Sequence, residues 1–146
     1  MINSRIISIL KRQEGLRNKV YTCPAGKLTI GIGRNLEDRG ITDDEANFLL
    51  DNDVSDIHFK LAKKLEFYND LDSVRQEVLL NMSFQMGIGG MLKFRKKIKA
   101  VKKSDYKTTA IEMLDSRWAK QTSRRAKELS KAMEGGEWEK ETAIYV

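Results

Sequence analysis

Residues 20–33 read VYTCPAGKLTIGIG and hold the chain's one cysteine, its one proline and three of its ten glycines. Val20-Tyr21-Thr22 is β-prone, and Cys23-Pro24-Ala25-Gly26 fits a turn with proline at the second position and glycine at the fourth. Leu28, Ile30 and Ile32 then alternate with Thr29, Gly31 and Gly33. A period of two predicts a β-hairpin with one greasy face. Successive strand side chains point to opposite faces, so Thr29 must look away from Leu28 and Ile30, toward solvent or a cleft. Gly31 and Gly33 share that face and leave room beside it.

Outward from the hairpin the period turns helical. Residues 4–13 carry Ile6, Ile7, Ile9 and Leu10 on one face, with Ser4 as N-cap and Gly15 just past an end near Glu14. On the other side, Thr42-Asp43-Asp44-Glu45 is a capping-box pattern. It opens a helix of about 24 residues and about 36 Å, with a stripe of Ala46, Leu49, Leu50, Val54, Ile57, Leu61 and Leu65. A helix of that length suits a link between two lobes. Residues 73–88 are apolar nearly all round, which predicts the buried centre of the larger lobe. Asn81 and Gln85 interrupt that helix on one face, either as a satisfied core network or as a polar strip along a cleft. Further helices are expected over 93–102, 105–119 and 122–133, the last capped by Thr122.

The whole chain has 146 residues, 40% hydrophobic and 33% charged, which suits one soluble, mostly helical domain large enough to bury its own core. The net charge of +6 implies an acidic partner or surface, whether nucleic acid, anionic lipid or cell wall. No apolar run approaches the ~20 residues that span a bilayer, so no stable membrane insertion is expected. The start, MINSRIISILKRQEG, is too short in apolar residues for a secretory signal, so synthesis in a cytoplasm with export by outside help is expected. One cysteine excludes an internal disulfide and leaves the thiol as packing or chemistry. His58 is the only histidine and has no companion ligand at metal spacing, so neither a metal nor a cofactor is expected. The lysines and arginine of 93–103 flank an inner face of Phe94, Ile98 and Val101 and read as a solvated face. Without interleaved aromatics a nucleic-acid site there is the lesser reading.

Glu14 at a helix end, Cys23 at a turn and Thr29 on the open strand face lie close enough in sequence to converge on one groove. A carboxyl group and a second basic group across a groove is the arrangement for glycoside hydrolysis. Each residue also has an ordinary reading: a surface acid, a packed thiol and a β-prone strand residue.

The stretch Glu14-Gly15-Leu16-Arg17, Val20-Tyr21, Cys23, Gly26 and Thr29-Ile30-Gly31-Ile32-Gly33 resembles the catalytic lobe of the phage-type lysozymes. These are muramidases whose pattern is Glu, eight residues, Asp or Cys, five residues, Thr. Asn81 to Gly87 is similar to their central-helix motif, and Ser116-Arg117-Trp118, Gln121-Thr122 and Arg125-Ala126 to their late helical segment. The resemblance implies a predominantly helical α+β fold over 1–146. A small β lobe would cover about 14–45, and residues 46–146 with the N-terminal helix would form the larger lobe.

It also implies Glu14 as general acid, Cys23 as the group that assists the attacking water, and Thr29 as holder of that water or of the sugar. Gly33, Asn81, Phe84, Gln85 and Arg125 would bind substrate, with Arg125 paired to Glu14 across the cleft. Where relatives often carry His, this chain has Arg34. The implied substrate is the glycan strand of peptidoglycan, cut by a monomer without cofactor. The protein would accumulate in the host cytoplasm and reach the periplasmic wall through a phage holin. A lytic transglycosylase acting on the same bond, a silent wall-binding module and a nucleic-acid-binding helical protein are the competing readings.

Overall fold

The computed structural model describes residues 3–139. In chain order the elements are α1 (Ser4–Glu14), β1 (Arg17–Thr22), β2 (Leu28–Gly31), β3 (Arg34–Asn35) and α2 (Asp43–Lys64). A 3-10 turn (Tyr68–Asp70) leads to α3 (Ser73–Leu92), α4 (Arg95–Lys102), α5 (Tyr106–Leu114), α6 (Arg117–Gln121) and α7 (Ser123–Gly135). The fold is the expected predominantly helical α+β class. The chain divides into two compact units at Leu49–Leu50, so α1 groups with the sheet, whereas the sequence reading counts it with the larger lobe.

In the first unit the strands form an antiparallel sheet in the order β1-β2-β3, one short strand more than the hairpin read from the sequence. Gly26 donates to the Cys23 carbonyl at 2.8 Å, closing the turn at the residues whose chemistry called for it. That turn sets the register: Tyr21 lies opposite Thr29, and Thr29 opposite Asn35. α1 is capped by Asn3, whose side chain accepts from the Arg5 N–H, and not by Ser4. It ends at Gly15, whose φ of 75° turns the chain from the helix into β1.

α2 runs from the first unit into the second, and its capping box forms as read, with Glu45 N–H donating to Thr42 Oγ1 and Thr42 N–H to Glu45 Oε1. Of its apolar stripe only Leu61 and the following Leu65 are buried, while Leu49 and Leu50 lie about half exposed. Leu61, Leu79, Met82, Met113 and Leu129 pack together in the core of the second unit, with α3 in its middle. His58 is exposed on α2, yet its Nδ1 shares a 2.8 Å hydrogen bond with the hydroxyl of buried Tyr68, so it is more than surface decoration.

The late helices depart from the sequence reading in three places. The helix expected over 105–119 breaks at Asp115, and Ser116 starts α6 by accepting from the Ala119 N–H. Thr122 precedes α7 but donates its hydroxyl to the Trp118 carbonyl and leaves α7 without a side-chain cap. Lys97, read as solvated, is 1% exposed. Its ammonium meets the Met82 sulfur at 3.3 Å and the Phe94 ring at 4.5 Å, and burial lowers its pKa to about 7.

Candidate active site

α1 delivers Glu14 at its last turn, the Cys23–Gly26 turn delivers the thiol, and β2 delivers Thr29. All three, with Gly33, line one cavity of about 400 Å³ in the first unit. The convergence read as a possibility from sequence spacing is therefore present in the structure. Thr29 is 3% exposed and faces this cavity, as strand alternation requires.

Gly33 is needed for the approach. A Cβ added there would stand 2.9 Å from Glu14 Oε2 and 3.0 Å from its Cδ, and its φ of 71° is a conformation that residues with side chains rarely adopt. The Glu14 carboxyl thus rests on bare backbone.

The thiol is tuned chiefly by backbone. The pKa of Cys23 lies below the ordinary thiol value, first because of a hydrogen bond from the Lys27 backbone, opposed by partial burial, then assisted by the Ala25 backbone and the Thr29 side chain. Thr29 has one hydroxyl proton, which it directs to the Lys27 carbonyl at 2.9 Å; turning that proton to the sulfur favours the thiolate. The nearby cations Arg17, Lys19 and Arg34 are not among the causes of this lowering. Arg17 lies 4.3 Å over the Tyr21 ring, and Arg34 is engaged by Glu45.

Arg17, Tyr21, Pro24 and Asn35 also line the cavity, and none was given a catalytic or substrate-binding role from sequence. For two of them the signal was present. A hairpin closed by the Cys23–Gly26 turn puts Tyr21 opposite Thr29, and a further antiparallel strand puts Asn35 on the same row. Asn35 is braced by Asp38, donating to its Oδ2 at 2.9 Å and accepting from its N–H.

The remaining candidates sit in the helical unit. Asn81, Phe84 and Arg125 share a separate cavity of about 790 Å³ with an apolar wall of Leu80, Leu129 and Trp138. The sequence reading pairs Arg125 with Glu14; the contact the structure shows for Arg125 is with Asn81, whose Oδ1 accepts from Nε at 2.9 Å and Nη2 at 2.6 Å. Gln85 does not line that cavity and accepts from Trp118 Nε1 at 2.8 Å. The two amides on one face of α3 thus take separate partners, on α7 and α6.

Comparison with known proteins matches residues 11–134 to the family model described as phage lysozyme. Among similar proteins, the pre-baseplate central spike protein Gp5 of Enterobacteria phage T4 is 30% identical over 85% of this chain, which spans only 26% of that protein's length. Probable T4-type lysozymes 2 and 1 of Dictyostelium discoideum are 29% and 28% identical, each over 91% of this chain and 95% of their own. With the family pattern running from α1 through α7, the chain belongs to the phage lysozyme family.

Proposed function

We propose that this protein is a bacteriolytic muramidase that hydrolyses the β-1,4 bond between N-acetylmuramic acid and N-acetylglucosamine in peptidoglycan. Family membership supports lysozyme-like hydrolysis of the cell wall. The observation that carries the reading to particular residues is the single cavity holding Glu14, Cys23, Thr29 and Gly33.

In this reading Glu14 protonates the leaving glycosidic oxygen. Cys23, as thiolate, takes a proton from the attacking water, and Thr29 orients that water or the sugar. A base acting through water inverts the anomeric centre, so the first product carries the α configuration, measurable by NMR on fresh digest. Gly33 admits the carboxyl, while Asn81, Phe84, Gln85 and Arg125 contact the glycan or its substituents. The net charge of +6 suits an anionic wall. The protein would act as a monomer without cofactor, accumulating in a host cytoplasm and gaining the periplasm through a holin.

Mass spectrometry of a digest of purified peptidoglycan tests the reaction. Reducing muramic acid ends are expected. Anhydro-muramyl ends would replace hydrolysis by transglycosylation, and wall binding without release of ends would make the protein a binding module. A virion-borne role is the second reading, favoured by the similarity to a central spike protein. Its mark would be the protein in purified particles and not in the lysate supernatant.

A further inference from the structure

Arg34 lies between two residues that line the Glu14 cavity, Gly33 and Asn35, and does not line it itself. Strand alternation accounts for this: neighbours of a cavity-facing residue point the other way. On that other side the guanidinium is bound in a fork by Glu45, with Nη1 donating to Oε1 at 2.8 Å and Nη2 to Oε2 at 2.6 Å. Nη1 also donates to the Gly40 carbonyl at 3.0 Å. Glu45 is itself anchored, since its Oε1 accepts from the Thr42 N–H at the start of α2.

Two parallel charge-assisted bonds fix orientation as well as distance. The part they orient is the short connection Gly31-Ile32-Gly33, tied at its ends by the pairing of Ile30 with Arg34 and bearing two glycines at φ 71°. Such a segment has little side-chain packing of its own to hold it. Yet Glu14 rests against it at Gly33, where no Cβ could be accommodated without a shift.

We propose that the Arg34–Glu45 pair is a positioning device for the Glu14 carboxyl, locking the Gly31–Gly33 connection to the start of α2 so that the surface under Glu14 keeps its place. The claim rests on Glu14 being the acid of the proposed muramidase. Arg34 touches neither water nor sugar in this account and acts through its neighbour. Both side chains are partly exposed, so the pair contributes geometry more than stability. The clamp also outlasts acid: Glu45 is held to a pKa of about 2, first by the hydrogen bond from Arg34 and then by Thr42.

Glu45→Gln keeps the size of the side chain and an acceptor for Thr42 but removes the charge, and Arg34→Lys keeps the charge but removes the fork. Both are expected to lower kcat by roughly tenfold, the scale of a displaced catalytic group, with KM within about twofold. The swap Arg34→Glu with Glu45→Arg is expected to recover part of the loss. A second readout does not need activity: the nuclear Overhauser effect between the Glu14 side chain and Gly33 Hα, present in the parent and weakened in both single variants.

Unchanged kcat and an undiminished Overhauser effect between Glu14 and Gly33, even with a lowered Tm, would reduce the pair to an ordinary stabilising interaction and overturn the proposal. A parent that releases no sugar ends, with the Overhauser effect weakened in both variants, would overturn the muramidase reading while supporting the clamp.

Discussion

Gly33 and Cys23 carry the residue-scale consequences. Gly33→Ala places a methyl group against the Glu14 carboxyl and forces a left-handed backbone on alanine, which costs about 1–2 kcal/mol from the backbone alone. Activity should fall more than stability, because the group displaced is the acid of the proposed muramidase. Wall digestion and thermal unfolding measured together check this, and equal losses in both would contradict it.

Cys23 as base must be ionised while the proposed acid Glu14 keeps its proton, so the pH–rate profile should be a bell in which the thiol, held below its ordinary pKa by hydrogen bonding, sets one limb. Cys23→Asp puts a group of pKa ~3.9 in the same place and should carry activity to more acidic pH. Superimposable pH–rate profiles would remove Cys23 from the base role.

These two residues also show where sequence reasoning reached. Cys23, Thr29 and the turn between them were legible because proline, glycine and alternation act locally. The reason for Gly33 was not, since Glu14 approaches it from another element.

At the scale of elements, α4 gives the clearest contrast between pattern and residue type. Positions 94, 97, 98 and 101 form one inward helical stripe, and Lys97 occupies it, but its charge suggested a solvated face. The structure follows the spacing and buries the ammonium against sulfur and an aromatic ring rather than a carboxylate. Glu112 and Asp115 line the cavity that Lys97 also borders, together with Lys93, Arg95 and Lys96.

The sign of the consequence follows from proton binding. Between about pH 7 and the unfolded lysine value of ~10.4 the unfolded chain holds a proton that the folded one has released, so stability rises with pH across that window. Below pH 7 both states are protonated and the folded protein bears the full cost of the buried charge. Lys97→Met should therefore stabilise the protein by on the order of a few kcal/mol at neutral pH or below and flatten this rise. Denaturant unfolding at pH 6 and pH 9 checks it, and a parent whose stability does not increase between them would contradict the burial argument.

Other element boundaries were readable only in part. The Thr42–Glu45 box acted as read, while Ser116 started a new helix inside what its neighbours' periodicity presents as one. Periodicity cannot reveal a cap that interrupts it without breaking it. The 2.7 Å bond from Arg75 Nε to the Met133 carbonyl joins α3 to the last turn of α7 across 58 residues of sequence, a distance at which no local pattern speaks.

For the whole molecule, the family match over residues 11–134 and the cavity in the first unit bear on different parts of one claim. The match establishes the kind of domain. The cavity selects, among the chain's many acids, the one lying beside a tuned thiol and a buried hydroxyl. Relatives named as lysozymes occur in an amoeba as well as a phage protein among the matches, so lysis of a phage host is a role to be tested separately from the chemistry.

The most direct test follows the clearing of outer-membrane-permeabilised Gram-negative cells by the parent, Glu14→Gln and Cys23→Ser, with folding of each checked by circular dichroism. The account predicts rapid clearing by the parent, none by Glu14→Gln and strongly slowed clearing by Cys23→Ser. A folded Glu14→Gln variant that clears cells as fast as the parent would contradict it, because the cavity would then not be where the bond is broken.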